Sequence, residues 1–194
     1  MKKTIWRFLC QSSFAILLLL AFLFHLKTYA QSETEQKINA VRKNFTDINA
    51  QTTKYKVDSV EIMESTESGI VKWYSDSTNN LKKVIVIYYG EMGKTVYEYY
   101  LMNKQLSFVF EQNYTYNRPI YYDAEMAEEN GDTEVWDIKK SIIAENRYYF
   151  DSKKLIRWLD ENKKQVLPTL KTFLEKEAEV PIEFERIVKD FCKK

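Results

Sequence analysis

The 194 residues carry 29 basic and 28 acidic side chains, a formal net charge of +1, and 15% of them are aromatic. There is one histidine, His25, and two cysteines, Cys10 and Cys192. That balance supplies no electrostatic footprint for nucleic acid. So little imidazole and thiol excludes a zinc site and most familiar general-base and nucleophilic mechanisms.

Residues 1–30 have the pattern of a secretory signal peptide. Lys2, Lys3 and Arg7 form a basic start, FAILLLLAFLF from Phe14 to Phe24 an apolar core, and Thr28-Tyr29-Ala30 a small-residue end. His25 and Lys27 interrupt the core short of the ~20 apolar residues of a membrane span. Cys10 precedes the core, whereas a lipid-modified cysteine would follow it. Cleavage after Ala30 is expected, giving export to the periplasm, the outer-membrane surface or the exterior, with no membrane span afterwards. The mature chain would lack histidine, keep only Cys192 as thiol, and hold 25 basic against 28 acidic residues. A single cysteine forms no internal disulfide even in an oxidising compartment.

The 164 residues beyond Ala30 suit one α+β domain, residues 31–194, without a low-complexity linker. Ser32 and Glu35 form a capping-box pair. Ile38, Val41, Phe45 and Ile48 then recur as one apolar stripe, predicting a helix over 31–53. From Tyr55 to Asp160 the period changes to that of strands, rich in tyrosine, tryptophan and β-branched residues. Strands are expected near 57–62, 70–75, 81–89, 95–102, 106–112, 136–143, 146–150 and 155–160. The acidic run Asp123 to Asp132 lacks periodicity and reads as a long exposed loop. Gly90-Glu91-Met92-Gly93-Lys94-Thr95 ends like a phosphate loop, but its glycines are too close together, and it reads as a turn. Pro168 and Pro181 each fit a first helical turn, predicting two short C-terminal helices within 163–194. The expected architecture is a mostly antiparallel meander of repeated hairpins packed by N- and C-terminal helices.

The most specific signal is an internal repeat. Tyr99 to Asn113 (YYLMNKQLSFVFEQN) aligns without gaps on Tyr148 to Asn162 (YYFDSKKLIRWLDEN), and a weaker copy starts at Trp73-Tyr74 and reaches Leu81 through a longer turn. Each copy reads as strand, tight polar turn, strand. With YTYNRPIYYD between the hairpins and Ala30-Gln31 at the cleavage site, the chain resembles a family of secreted proteins from the Bacteroidota. That family has no assigned activity, so the resemblance implies export and repeated hairpins and transfers no functional residue. A looser likeness to MORN-type repeats fails, because the glycines that mark them are missing.

Thirteen tyrosines lie beyond Tyr29, many in pairs. Strand neighbours point to opposite faces, so each pair places one ring inward and one outward. Inward rings would fill the core. Outward rings could form cross-strand pairs, or a platform for a glycan or protein partner. The candidate ligand-binding residues are Tyr100, Arg157, Trp158 and Trp73. Arg157 and Trp158 stand where the first hairpin has Phe108 and Val109, and Arg beside Trp can hold an acidic or sugar ligand.

Catalytic residues cannot be named. Glycosidases manage with two carboxylates, but among Glu98, Glu111, Asp123, Glu145 and Asp160 the spacing singles out no pair. No metal site or cofactor is expected; Asp123 to Asp132 does not match a calcium loop. The leading expectation is a non-enzymatic ligand- or partner-binding domain of the cell envelope. The alternatives are a carboxylate-dependent hydrolase of envelope or dietary polysaccharide, and a structural envelope protein.

Overall fold

The computed structural model describes residues 33–192, with side chains up to Lys189. The expected signal segment, the Ser32 cap and the Cys192 thiol lie outside what is described. The chain divides into two compact units, Met1–Ala40 and Val41–Lys194. The described part of the first is helix; everything below concerns the second.

Seven strands form one antiparallel sheet in sequence order. They are β1 (Lys56–Ile62), β2 (Gly69–Ser75), β3 (Leu81–Gly90), β4 (Gly93–Met102), β5 (Gln105–Thr115), β6 (Ile142–Asp151) and β7 (Lys154–Leu159). Helix α1 (33–50) precedes the sheet, a short α2 (Ala124–Glu129) lies between β5 and β6, and α3 (Lys171–Cys192) closes the chain. The α+β class and the hairpin meander follow from the alternating pattern, since a hairpin connection needs only a short turn whereas a parallel one needs a crossover.

The sequence repeat is a repeat of geometry. The β4–β5 and β6–β7 hairpins close through Asn103-Lys104 and Ser152-Lys153, all four residues with positive φ (51° to 70°), as a two-residue type I′ turn demands. The register shifts after Tyr100, after Tyr149 and, in the weaker copy, after Tyr74. All three copies thus carry a bulge immediately after their aromatic pair. The longer β2–β3 turn is held by Asp76, whose carboxylate accepts from the backbone N–H of Thr78 and Asn80. At the β3–β4 turn a Cβ on Gly93 would meet Tyr114 O at 2.1 Å, so close backbone approach, not phosphate binding, accounts for that glycine.

Two rungs of cross-strand neighbours follow from this register. Trp73, Val84, Tyr99, Val109, Tyr148 and Trp158 share one face, and Tyr74, Lys83, Tyr100, Phe108, Tyr149 and Arg157 the other. The first rung forms the core with Phe173, Val180, Phe184 and Ile187 of α3. The second lies under α1, where Phe45 packs 4.9 Å from Tyr100 and 5.4 Å from Phe108. Asn44 Nδ2 donates to Leu101 O at 3.1 Å, tying α1 to the β4 end. Both faces are covered because both carry apolar rings.

Three local expectations are corrected. The C-terminal residues form one helix with Pro181 inside it, not two short ones. Phe173, Val180, Phe184 and Ile187 continue a single buried stripe through the proline, and that packing outweighs the lost backbone bond. The acidic run contains α2, capped by Asp123, which accepts from Met126 N at 3.0 Å. The stretch expected as a strand over 136–143 is a 3-10 turn (Ile138–Lys140), with pairing starting only at Ile142; Asp137 caps that turn by accepting from Lys139 N.

Candidate functional site

The tyrosine pairs separate polar chemistry onto the two faces. Under α3, Glu111 is buried and accepts from Tyr148 Oη at 2.5 Å, Tyr97 Oη at 3.2 Å and Asn113 Nδ2 at 3.1 Å. Burial first, and the Glu111 charge second, push both phenols well above the ordinary tyrosine range. Every acceptor there is occupied by an internal donor, so the cluster is structural glue. Tyr88, on the same face, donates to Glu183 of α3 at 2.9 Å.

Under α1, Lys83 Nζ lies 2.7 Å from Glu98 Oε2 and 3.1 Å from Asn49 Oδ1. Tyr100 Oη donates to Glu98 and meets the Asn49 amide. Lys83 also sits 4.8 Å from the Tyr100 ring centroid and 6.0 Å from that of Tyr74. Burial, then the Glu98 charge, raises the Tyr100 phenol strongly. This cluster, too, is closed on itself.

One rung further along the same face the structure opens. A groove of about 310 Å3 runs between α1 and strands β5 and β6. Phe108, Phe110 and Tyr149 form its sheet side, and Val41, Phe45 and Thr46 its helix side. Arg42 and Arg147 complete the lining, and among the described residues no carboxylate takes part. The Arg147 Cζ stands 5.0 Å from the Phe110 centroid, and the Arg42 Cζ 5.8 Å from that of Tyr149. Arg147 Nη2 donates to Glu145 Oε2 at 2.6 Å, and Glu145 Oε1 accepts from Gln112 at 3.2 Å. An aromatic floor with cations at its edge suits an apolar ligand held by stacking and dispersion.

The residues singled out from the sequence are not brought together. Trp73 is 1% and Tyr100 0% exposed, so neither ring contributes to an exposed platform. Trp73 and Trp158 lie on the α3 face and Tyr100 and Arg157 on the α1 face. The half-buried Trp158 packs on Tyr148 at 5.3 Å and donates its Nε1–H to Asn146 Oδ1 at 2.9 Å. The outward reading fails because a seven-stranded sheet layered on both sides has no bare aromatic face at these rungs. Of the candidate acids, Glu98 and Glu111 are on opposite faces, and Glu145 is paired with Arg147.

Sequence reasoning missed Phe110 and Arg147. Their signal was present: extending the repeat by one residue ahead of the tyrosine pair sets Glu98 against Arg147, a charge reversal. Phe110 stands between them, cross-strand to both.

No family model, curated protein or solved structure matches this chain. Among the described residues no helix is long and apolar enough to cross a membrane, and no group of histidine, cysteine or acidic side chains is arranged to hold a metal ion.

Proposed function

We propose that the chain is an exported, non-enzymatic domain that binds a small apolar molecule in the groove between α1 and strands β5 and β6. The observation that carries this reading is the groove's form: about 310 Å3 floored by Phe108, Phe110 and Tyr149. Small-molecule sites run from roughly 300 Å3 upward and are mostly apolar with a few polar groups. Export rests on the pattern of residues 1–30 and on the resemblance to secreted Bacteroidota proteins. The hydrolase alternative draws no support from this groove, which no described carboxylate lines, since such chemistry uses paired acids.

The test is calorimetric titration of the purified protein with 1-octanol, a neutral apolar probe of about the groove's size. Saturable binding with a negative heat-capacity change is expected. Thr46 is exposed on α1 and lines the groove, so Thr46→Trp should fill the space and remove binding without unfolding the protein. Wild-type protein that takes up no probe saturably would end this reading and favour a structural envelope role.

A further inference from the structure

Resting on the groove reading, one polar group narrows the ligand's chemistry. Arg147 is clamped: Glu145 holds Nη2 at 2.6 Å and the Phe110 ring supports the guanidinium 5.0 Å from its centroid. Its Nη1 is buried and has no hydrogen-bond partner among the described residues. Buried donors are almost always paired, and one left open on a charged group is costly. Glu145 is already engaged on both oxygens, by Arg147 and by Gln112, so the local carboxylate is committed to the other edge of the guanidinium.

We infer that the groove's ligand is a small apolar acid, whose anionic head pairs with the guanidinium of Arg147 while its body lies over Phe108, Phe110 and Tyr149. A guanidinium fixed in plane and orientation presents donors to a carboxylate with little further ordering. Arg42, 5.8 Å over Tyr149, adds a second positive charge to the lining, and none of the described lining residues is acidic. The volume of about 310 Å3 equals the liquid share of about ten water molecules. That suits a chain of medium length, not a long acyl lipid.

The experiment compares octanoate with 1-octanol, which share a chain and differ in the head, on wild type, Arg147→Met and Thr46→Trp. Wild type should bind octanoate at least tenfold more tightly than octanol, and the ratio should shrink as salt is raised. Arg147→Met should bring the ratio near one while octanol still binds, which also shows that the variant is folded. Arg147→Lys should restore the ratio only in part, since a point charge lacks the planar fork. Thr46→Trp should bind neither probe. Equal affinities on wild type, or a ratio unchanged in Arg147→Met, would overturn the acid while leaving the groove standing. Failure of both probes on wild type would overturn the acid and the groove together.

Discussion

Lys83 Nζ sits 2.7 Å from Glu98 Oε2, with the two side chains only 7% and 21% exposed. They lie on neighbouring strands beneath α1, and the Asn49 amide and Tyr100 phenol complete their hydrogen bonds. A buried ion pair is weak evidence for net stabilisation, but breaking one by removing a single partner leaves an uncompensated charge.

Lys83→Met is therefore expected to cost about 3–5 kcal/mol in denaturant unfolding. The double variant Lys83→Met/Glu98→Leu should recover at least half of that loss, because it removes the stranded carboxylate as well. A double variant no better than Lys83→Met would show that packing, not the orphaned charge, sets the cost.

Tyr148 donates to the buried Glu111 carboxylate at 2.5 Å, Tyr97 at 3.2 Å. Removing a hydrogen bond to a charged acceptor costs about 1.5–3 kcal/mol, so Tyr148→Phe should lose that much and Tyr97→Phe less. Because both phenols serve one carboxylate, the double variant should deviate from additivity. Strict additivity in a double-mutant cycle would argue that the two phenols act independently.

Alkaline pH should unfold the protein cooperatively. Burial raises the Tyr97, Tyr99, Tyr100 and Tyr148 phenols above their ordinary range. Above pH ~10 the unfolded chain releases phenolic protons that the native state retains, so the unfolding free energy falls as pH rises and is unaffected by these groups below that point. Ultraviolet absorbance of phenolate and far-ultraviolet circular dichroism should then change together. Smooth ionisation of all tyrosines near pH 10, with the fold intact, would contradict this.

The hairpin turns offer a gain. Lys104 and Lys153 hold φ values of 63° and 70°, a left-handed conformation that disfavours a side chain by roughly 1–2 kcal/mol. Glycine removes most of that strain at some entropic cost. Lys104→Gly, which completes the favoured Asn-Gly turn, should raise stability by about 0.5–1 kcal/mol, read as a higher denaturation midpoint. A lower midpoint would mean that the lysine makes a compensating contact in the native state.

Much of the fold could be read before the structure, for local reasons. Alternating apolar residues with tight polar turns leave little choice but hairpins, and the Tyr99–Asn113 and Tyr148–Asn162 copies have the same turn and bulge because they share its residues. Pro181 misled because a proline's local preference is weaker than a buried stripe running from Phe173 to Ile187.

What the sequence alone determined was the strand order and the alternation that sends Tyr99 and Tyr100, or Tyr148 and Tyr149, to opposite faces. Only the tertiary structure decided which rungs are covered. Both faces carry rings, so periodicity cannot say where a helix settles. The α3 core buried one candidate binding ring, Trp73, and the seat of α1 on Tyr100 and Phe108 buried another, Tyr100. It left the next rung, Phe110 and Arg147, beside the open groove, because the helix side chains that meet the sheet at Phe45 do not fill the space over that rung.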